Sequence, residues 1–405
     1  MVTFFYYPRQ PIDPFCNTPG YNLKWSYRAL HHQIMNWSNV TPGTHRPRSA
    51  ILLDIIIEPI TLELKTPFRI AHGISTTRQS VLVHLGEGVG EGALIPHFGH
   101  SQSEVEAYLA QLDANALIGG EPLSLEAALD RLPPGPAPAR TAVDMALHDL
   151  WARQLGYPLY RLWGLNPAQA PLSSLTFSLP EDEDEIRQQI QAAAGFPILK
   201  LKLGSGSLET DEALVRLVRR ETGARLAVDA NSAWSVGEAA HIIPRLAACD
   251  LLYIEQPIPP TGAAAWRQLR RQLPPGLPPL IADESIHQAS DILALNGLVD
   301  GINLKLTKAG GLREARRLLT LARALGMQVM LGCAVESSVS ITAAAHLAPL
   351  VDFADLDGNL DVVNDPYIGV RMEQGRLHLP DGPGLGIRRR HYRDNNQDEN
   401  VVGQT

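Results

Sequence analysis

The sequence predicts an α/β protein in which a parallel barrel follows a mixed α+β module, and three observations carry that expectation. From about residue 172, eight short apolar runs alternate with helical segments. Each run ends on a side chain able to do chemistry: Thr176, Lys202, Asp229, Glu255, Asp283, Lys305, Cys333 and Asp355. The spacings between these positions are 26, 27, 26, 28, 22, 28 and 22 residues, one strand and one helix each, which is the repeat of a parallel barrel. An open doubly wound sheet is the alternative, but no dinucleotide-type glycine fingerprint accompanies the eight units.

Residues 1–48 mix aromatics with Pro, Asn, His and Gly without a sustained period, and read as an irregular N-terminal extension. ILLDIIIEPITLEL, from Ile51, is β-branched and strand-like, and VLVHLG (81–86) reads as its partner. SEVEAYLAQLDANAL and LSLEAALDRL have helical spacing, PPGPAPA (133–139) is a rigid connector, and TAVDMALHDLWARQLG (141–156) reads as an amphipathic helix stopped by glycine. Strands first and helices after make 51–165 an α+β module. The barrel runs are LTFSL, ILKLKLG, ARLAVDAN, LLYIEQP, PLIADES, GINLKLT, QVMLGCAVES and FADLDG, within 170–372. The polar stretch 388–405 is expected to be a disordered tail.

Composition excludes some classes. Net charge is −8, from 35 basic and 43 acidic side chains, which does not suit a nucleic-acid surface. Arg388, Arg389 and Arg390 form the only tight basic cluster and are expected to be solvated. No stretch approaches the ~18 consecutive apolar residues of a membrane-spanning helix. MVTFFYYPRQP lacks the order of a signal peptide. Cys16, Cys249 and Cys333, odd in number and widely spaced, do not form a disulfide framework and point to a reducing compartment. A cytoplasmic location is the expectation.

The strand-end acids Asp229, Glu255 and Asp283 fall on three consecutive strands. Such carboxylates repel one another unless a cation lies between them, and oxygen-only ligation favours Mg²⁺ over zinc. Lys200 and Lys202 are two apart on the second run, so both face the barrel interior, where an ammonium is costly unless it has a role. Lys305 ends the sixth run, across the three acid-bearing strands. Two lysines would then flank a metal-bound carboxylate substrate. The ion stabilises the enediolate formed when the α-proton leaves. One lysine takes that proton and the other returns one from the opposite face, inverting the centre. With a leaving group at the β-carbon, the same groups would eliminate.

KLKLG, VDAN, IEQP, ADES and NLKLTKAGG resemble the metal and base motifs of the enolase superfamily, over roughly 51–387. Lys-x-Lys on the second strand with Lys305 on the sixth is similar to the muconate-cycloisomerase-like subgroup. Cys333 stands where the mandelate-racemase-like subgroup would show His. The resemblance implies a modified (β/α)8-type barrel, (β/α)7β, with 51–165 as a capping domain completed by about 373–387. It also implies that TPFRIAHGISTTR (66–78) is a mobile loop over the substrate. ADLDGNL resembles the dipeptide epimerases, in which Asp355 and Asp357 would bind the substrate's ammonium. The resemblance places Lys200, Asn231, Thr176, Cys333 and Val335 at the substrate. A Mg²⁺-dependent dipeptide epimerase is thus implied. An o-succinylbenzoate synthase, N-acylamino acid racemase or muconate cycloisomerase shares the lysines and metal, and a non-catalytic family member is a further alternative. The expected partner is a small molecule. The resemblance admits a homo-oligomer and leaves its size open. Arg69, His72 and Arg78 are the cationic candidates in the capping stretch, and the sequence does not choose among them.

Overall fold

The computed structural model of the chain describes residues 54–119 and 123–390. The expected irregular extension, 1–48, lies outside the described residues.

Strands β1 (Ile55–Ile70), β2 (Gly73–Leu85) and β3 (Gly88–Ala93) form an antiparallel sheet in that order. The stretch 66–78, expected to be a loop, is the tip of the β1–β2 hairpin, with Phe68, Arg69 and Ile70 paired to Ser75, Ile74 and Gly73. A register shift between Glu63 and Phe68 bends this tip away from the regular ladder.

The sequence GVGEGA of β3 explains how the sheet is covered. Its glycines share one strand face. A Cβ on Gly88, Gly90 or Gly92 would collide with the carbonyls of Ala146, Ala142 or Pro138. The helix Ala137–Leu155 therefore packs directly on the strand backbone. The amphipathic reading of this helix does not hold. It is buried nearly all round, including Asp144, His148 and Asp149, because the sheet covers one side and the barrel the other. Gly156, at φ 76°, ends it in the left-handed region.

The barrel strands are β4 (Leu175–Phe177), β5 (Ile198–Lys202), β6 (Arg225–Asp229), β7 (Leu251–Glu255), β8 (Leu280–Ala282), β9 (Gly301–Leu304), β10 (Gln328–Gly332) and β11 (Phe353–Asp355). Neighbours in sequence are neighbours in the sheet, and all pairs are parallel. Ser174 N–H donates to Ala354 O at 3.0 Å, closing β4 on β11. A helix follows each of the first seven strands, and among the described residues none follows β11. The fold is therefore a (β/α)7β barrel with an α+β capping module. Inside it, Ala227, Tyr253, Ile281 and Met330 make an apolar floor, and the lysines and acids stand in the layer above.

The chain then returns to the first module. β12 (Tyr367–Ile368) pairs with β15 (Arg388–Arg389), and β13 (Arg371–Glu373) pairs with β14 (Arg376–His378). Leu385 N–H donates to Asp149 Oδ1 at 2.7 Å. The expected disordered tail 388–405 thus begins too early. Arg389 lies in a strand and pairs with Glu58 at 2.7 Å, so the arginine cluster is not simply solvated. Residues 391–405 lie outside the described residues. No helix among the described residues is long and apolar enough to cross a membrane.

Asp144 joins the two modules. Its carboxylate accepts from Leu312 N–H at 2.5 Å and Arg313 N–H at 3.3 Å, at the start of the helix Leu312–Ala324, where unpaired N–H groups need an acceptor. Hydrogen bonds to charged groups contribute ~1.5–3 kcal/mol. Asp144→Ala should therefore lower stability by about 2 kcal/mol. A denaturant midpoint equal to that of the wild type would refute this role.

Candidate functional site

The charged layer is built by alternation. Lys200 and Lys202 share the inward face of β5, and Asp229, Glu255 and Asp283 stand at the ends of β6, β7 and β8, all three fully buried. Lys305 follows β9, and β6, β7 and β8 separate it from Lys202.

Each acid is held by a lysine. Lys202 Nζ donates to Asp229 Oδ2 at 2.6 Å. Lys200 Nζ lies 2.6 Å from Glu255 Oε2, 2.6 Å from Asp355 Oδ2 and 3.4 Å from Asp229 Oδ2. Asp283 takes both Lys305, at 2.6 Å, and Lys308, at 2.6 Å. Burial opposes the ammonium of Lys200, but Asp355, Glu255 and Asp229 outweigh it and hold the group charged far above its ordinary range. Lys305 is likewise raised by Asp283, Glu255 and Glu284. Burial works against charge on Asp283 too, yet its two lysines hold it well below the carboxylate range. Glu255 goes the other way. Burial and the charges of Asp229 and Asp283 push it up to about 8, despite Lys200.

A cavity of about 480 Å³ opens over this layer. Lys202, Lys305, Asn231, Thr176, Cys333, Val335, Asp355 and Asp357 all line it. Lys200 does not. It is buried and lies within ion-pair distance of three carboxylates. Asn231, at φ 43°, donates from its side chain to Glu284 at 3.1 Å, while its Oδ1 is buried without a partner.

Asp355 and Asp357 differ. Asp355 accepts from Lys200, from Ser174 Oγ at 2.6 Å and from Thr176 Oγ1 at 3.1 Å, and those partners overcome burial to lower its pKa. Asp357 accepts from Thr176 N–H at 2.6 Å. Burial and the charge of Asp355 push it up to about 7.

The residues fit a hard divalent cation. The available donors are oxygens. Asp229, Glu255, Asp283, Glu284, Asp355 and Asp357 outnumber Lys200, Lys202, Lys305 and Lys308 by two charges, and Glu284, like Glu255, is pushed up, to about 7. The ammonium groups therefore leave the acids under-neutralised. As the side chains stand, no three metal-binding groups among the described residues converge on one point. Asp229, Glu255 and Asp283 are instead each turned to an ammonium.

Four contributors escaped sequence reasoning. Asn303 Nδ2 donates to Glu255 Oε1 at 2.7 Å. Its position two before Lys305 was the signal, since both face inward. Lys308 and Glu284 sat inside the quoted motifs beside stronger candidates. Ser174 precedes the expected strand and gave no signal.

Residues 53–164 match the mandelate racemase / muconate lactonizing enzyme N-terminal domain family, and 183–392 match the enolase C-terminal domain-like family. An L-Ala-D/L-Glu epimerase from Bacteroides thetaiotaomicron is 38% identical over 81% of this chain and 86% of its own length. A hydrophobic dipeptide epimerase from Roseobacter litoralis is 37% identical over 81% of this chain and 96% of its own. The structure of a dipeptide epimerase from Cytophaga hutchinsonii, complexed with Mg and D-Ala-L-Val, superposes with a TM-score of 0.76 at 26% identity, covering 84% of this chain and 97% of that one.

Outer partners of metal ligands alone change affinity by about 10–100-fold. Asp229→Asn, Glu255→Gln and Asp283→Asn should each weaken Mg²⁺ binding by at least about tenfold in calorimetric titration. Wild-type affinity in any one of them would remove that residue from the site.

Proposed function

The chain belongs to the mandelate racemase / muconate lactonizing enzyme family of enolase-like proteins, and from that premise we propose the chemistry it performs. It is a Mg²⁺-dependent dipeptide epimerase, an isomerase that inverts the α-carbon of the C-terminal residue by 1,1-proton transfer. One observation carries this reading: Lys202 and Lys305 enter one cavity from opposite sides of the three acid-bearing strands.

In this reading Asp229, Glu255 and Asp283 hold the ion. When bound, Mg²⁺ supplies the positive charge these acids now draw from ammonium groups, and it makes the α-proton of a bound carboxylate acidic. Lys202 and Lys305 exchange that proton from opposite faces. Lys200 keeps Glu255 and Asp355 oriented from below. Asp357, with acceptor capacity to spare, takes the substrate's ammonium, and Asp355 supports it through the Ser174–Thr176–Lys200 network. Thr176, Asn231, Cys333 and Val335 shape the cavity wall. The module 51–165, completed by 373–387, acts as the cap over barrel 170–372. The widely spaced cysteines support a cytoplasmic setting.

Two measurements test the reading. With Mg²⁺ in deuterium oxide, the protein should introduce α-deuterium into a dipeptide and interconvert its epimers, and chelation should stop both. Lys202→Ala and Lys305→Ala should each abolish epimerisation, and one of them should still exchange deuterium into a single epimer. Full turnover in either would exclude that lysine. The second concerns pH. Asp357, raised to about 7, loses its charge as pH falls through that value. For a free-amine dipeptide kcat/KM should then drop below about pH 7, by up to tenfold per unit. Asp357→Asn should flatten that limb and hurt free-amine substrates more than N-acetyl ones. A wild-type preference for N-acyl substrates would point instead to an acylamino acid racemase.

A further inference from the structure

Asp211 is a buried acid outside the charged layer, and the proton transfer does not use it. It lies on the first turn of the helix Leu208–Glu221, which follows β5, and is only 1% exposed. Its carboxylate accepts from three N–H groups. Gly204 N–H donates to Oδ1 at 3.2 Å and Oδ2 at 3.1 Å, Ser205 N–H to Oδ1 at 3.0 Å, and the indole Nε1–H of Trp234 to Oδ2 at 2.9 Å.

These donors belong to two loops. Gly204 and Ser205 follow Lys202 at the end of β5, and the buried Trp234 follows Asp229 and Asn231 at the end of β6. Lys202 and Asp229 are paired across the two strands, and Leu203 N–H donates to Asp229 O at 2.8 Å. The backbone just past Lys202 is thus held first by β6 and then by Asp211. Gly204, at φ 92°, is also wedged in place. A Cβ on it would come 2.5 Å from Ala233 Cβ and 2.8 Å from Ala71 Cβ in the hairpin turn. The residue type matters here. An ionised carboxylate only accepts, so it can face all three donors at once. An amide would set its own N–H groups either against the indole N–H or against the loop N–H groups.

We propose that Asp211 is a positioning residue for Lys202: it clamps the loop behind the lysine to the loop behind Asp229 and so fixes the direction in which Lys202 reaches the α-carbon. This rests on the epimerase reading. Lys202 Nζ rests on Asp229 Oδ2 at 2.6 Å, and in proton transfer it has to meet the substrate, so the backbone that carries it sets its aim. Lys305 follows β9, beyond the three acid-bearing strands, and stands apart from this clamp. Loss of the clamp therefore harms one face of the reaction.

The test follows α-deuterium exchange by the Mg²⁺-loaded full-length enzyme in deuterium oxide. Each member of an epimer pair is measured: L-Ala-L-Leu with L-Ala-D-Leu, or L-Ala-L-Glu with L-Ala-D-Glu, whichever pair the wild type exchanges faster. Lys202→Ala and Lys305→Ala assign each epimer to its lysine. Asp211→Asn should slow exchange of the Lys202 epimer by about 10–100-fold and leave the Lys305 epimer close to wild type, a one-sided loss that general loosening of the fold would not produce. Adding Trp234→Phe removes the indole N–H, lets the asparagine oxygen turn to the loop, and should restore most of the lost exchange. Asp211→Glu keeps both acceptors but moves them by one methylene. It should show the same one-sided loss in smaller measure, and it is the deciding variant if Asp211→Asn does not fold. Equal losses on both epimers, wild-type exchange in both single variants, or a double variant no faster than Asp211→Asn would overturn the clamp and leave the epimerase reading standing. Absence of wild-type exchange with any dipeptide would overturn the epimerase reading, and the clamp with it.

Discussion

The structure depends on keeping a layer of buried charge balanced inside the barrel. Asp229, Glu255 and Asp283 are fully buried on adjacent strands, shielded from bulk solvent. An isolated buried carboxylate would take up a proton rather than stay charged. Lys200, Lys202, Lys305 and Lys308 prevent this for Asp229 and Asp283, and leave Glu255 and Glu284 part-protonated near neutrality. Asn303, Lys200 and Asp355 take part in this incomplete balance. Asn303 fixes one oxygen of Glu255, Lys200 shares itself among three acids, and Asp355 is drawn in as a further acceptor.

The same chemistry attaches the capping module to the barrel. Glu91 on β3 is fully buried and accepts from Ser337 N–H, Ser337 Oγ, Ser340 N–H and Ser80 Oγ. Asp365, from the C-terminal segment, accepts from the Ser338 N–H and hydroxyl. Both acids thus cap the start of the helix Ser338–Ala345, as Asp144 caps the start of Leu312–Ala324. Carboxylates are favoured at helix N-termini. Here they also fasten the cap to the loop 333–337, part of which walls the cavity. The alternating glycines of GVGEGA serve this arrangement twice. One face of β3 lets the helix Ala137–Leu155 approach, and the other carries Glu91 to the barrel.

The hairpin tip at 66–78 is anchored on two sides of the cavity. Thr66 N–H donates to Asp361 Oδ2 at 2.9 Å, beyond β11, and Leu179 N–H donates to Arg69 O at 3.0 Å, beyond β4. Arg69 reinforces the second anchor through Glu181 and Glu185. The first strand pair is therefore the roof of the cavity, and residues of its tip line the cavity together with Lys202 and Lys305.

Much of this was legible in the sequence. Eight evenly spaced strand ends gave the barrel, the three acids and the two lysines, because strand alternation and the strand–helix repeat are written in contiguous residues. What the sequence could not decide was which charge meets which. Arg69 and Arg78 look alike in TPFRIAHGISTTR, yet one is neutralised by Glu181 and Glu185, more than a hundred residues away. Asp355 and Asp357 look alike in ADLDG, yet Lys200, 155 residues distant, takes only the first. The helix Ala137–Leu155 looked one-sided because its second burial partner lies in the barrel. Local periodicity fixes where a side chain points. Only the fold fixes what lies opposite, and for a buried charge the group opposite determines whether it is structural, catalytic or left to meet a ligand.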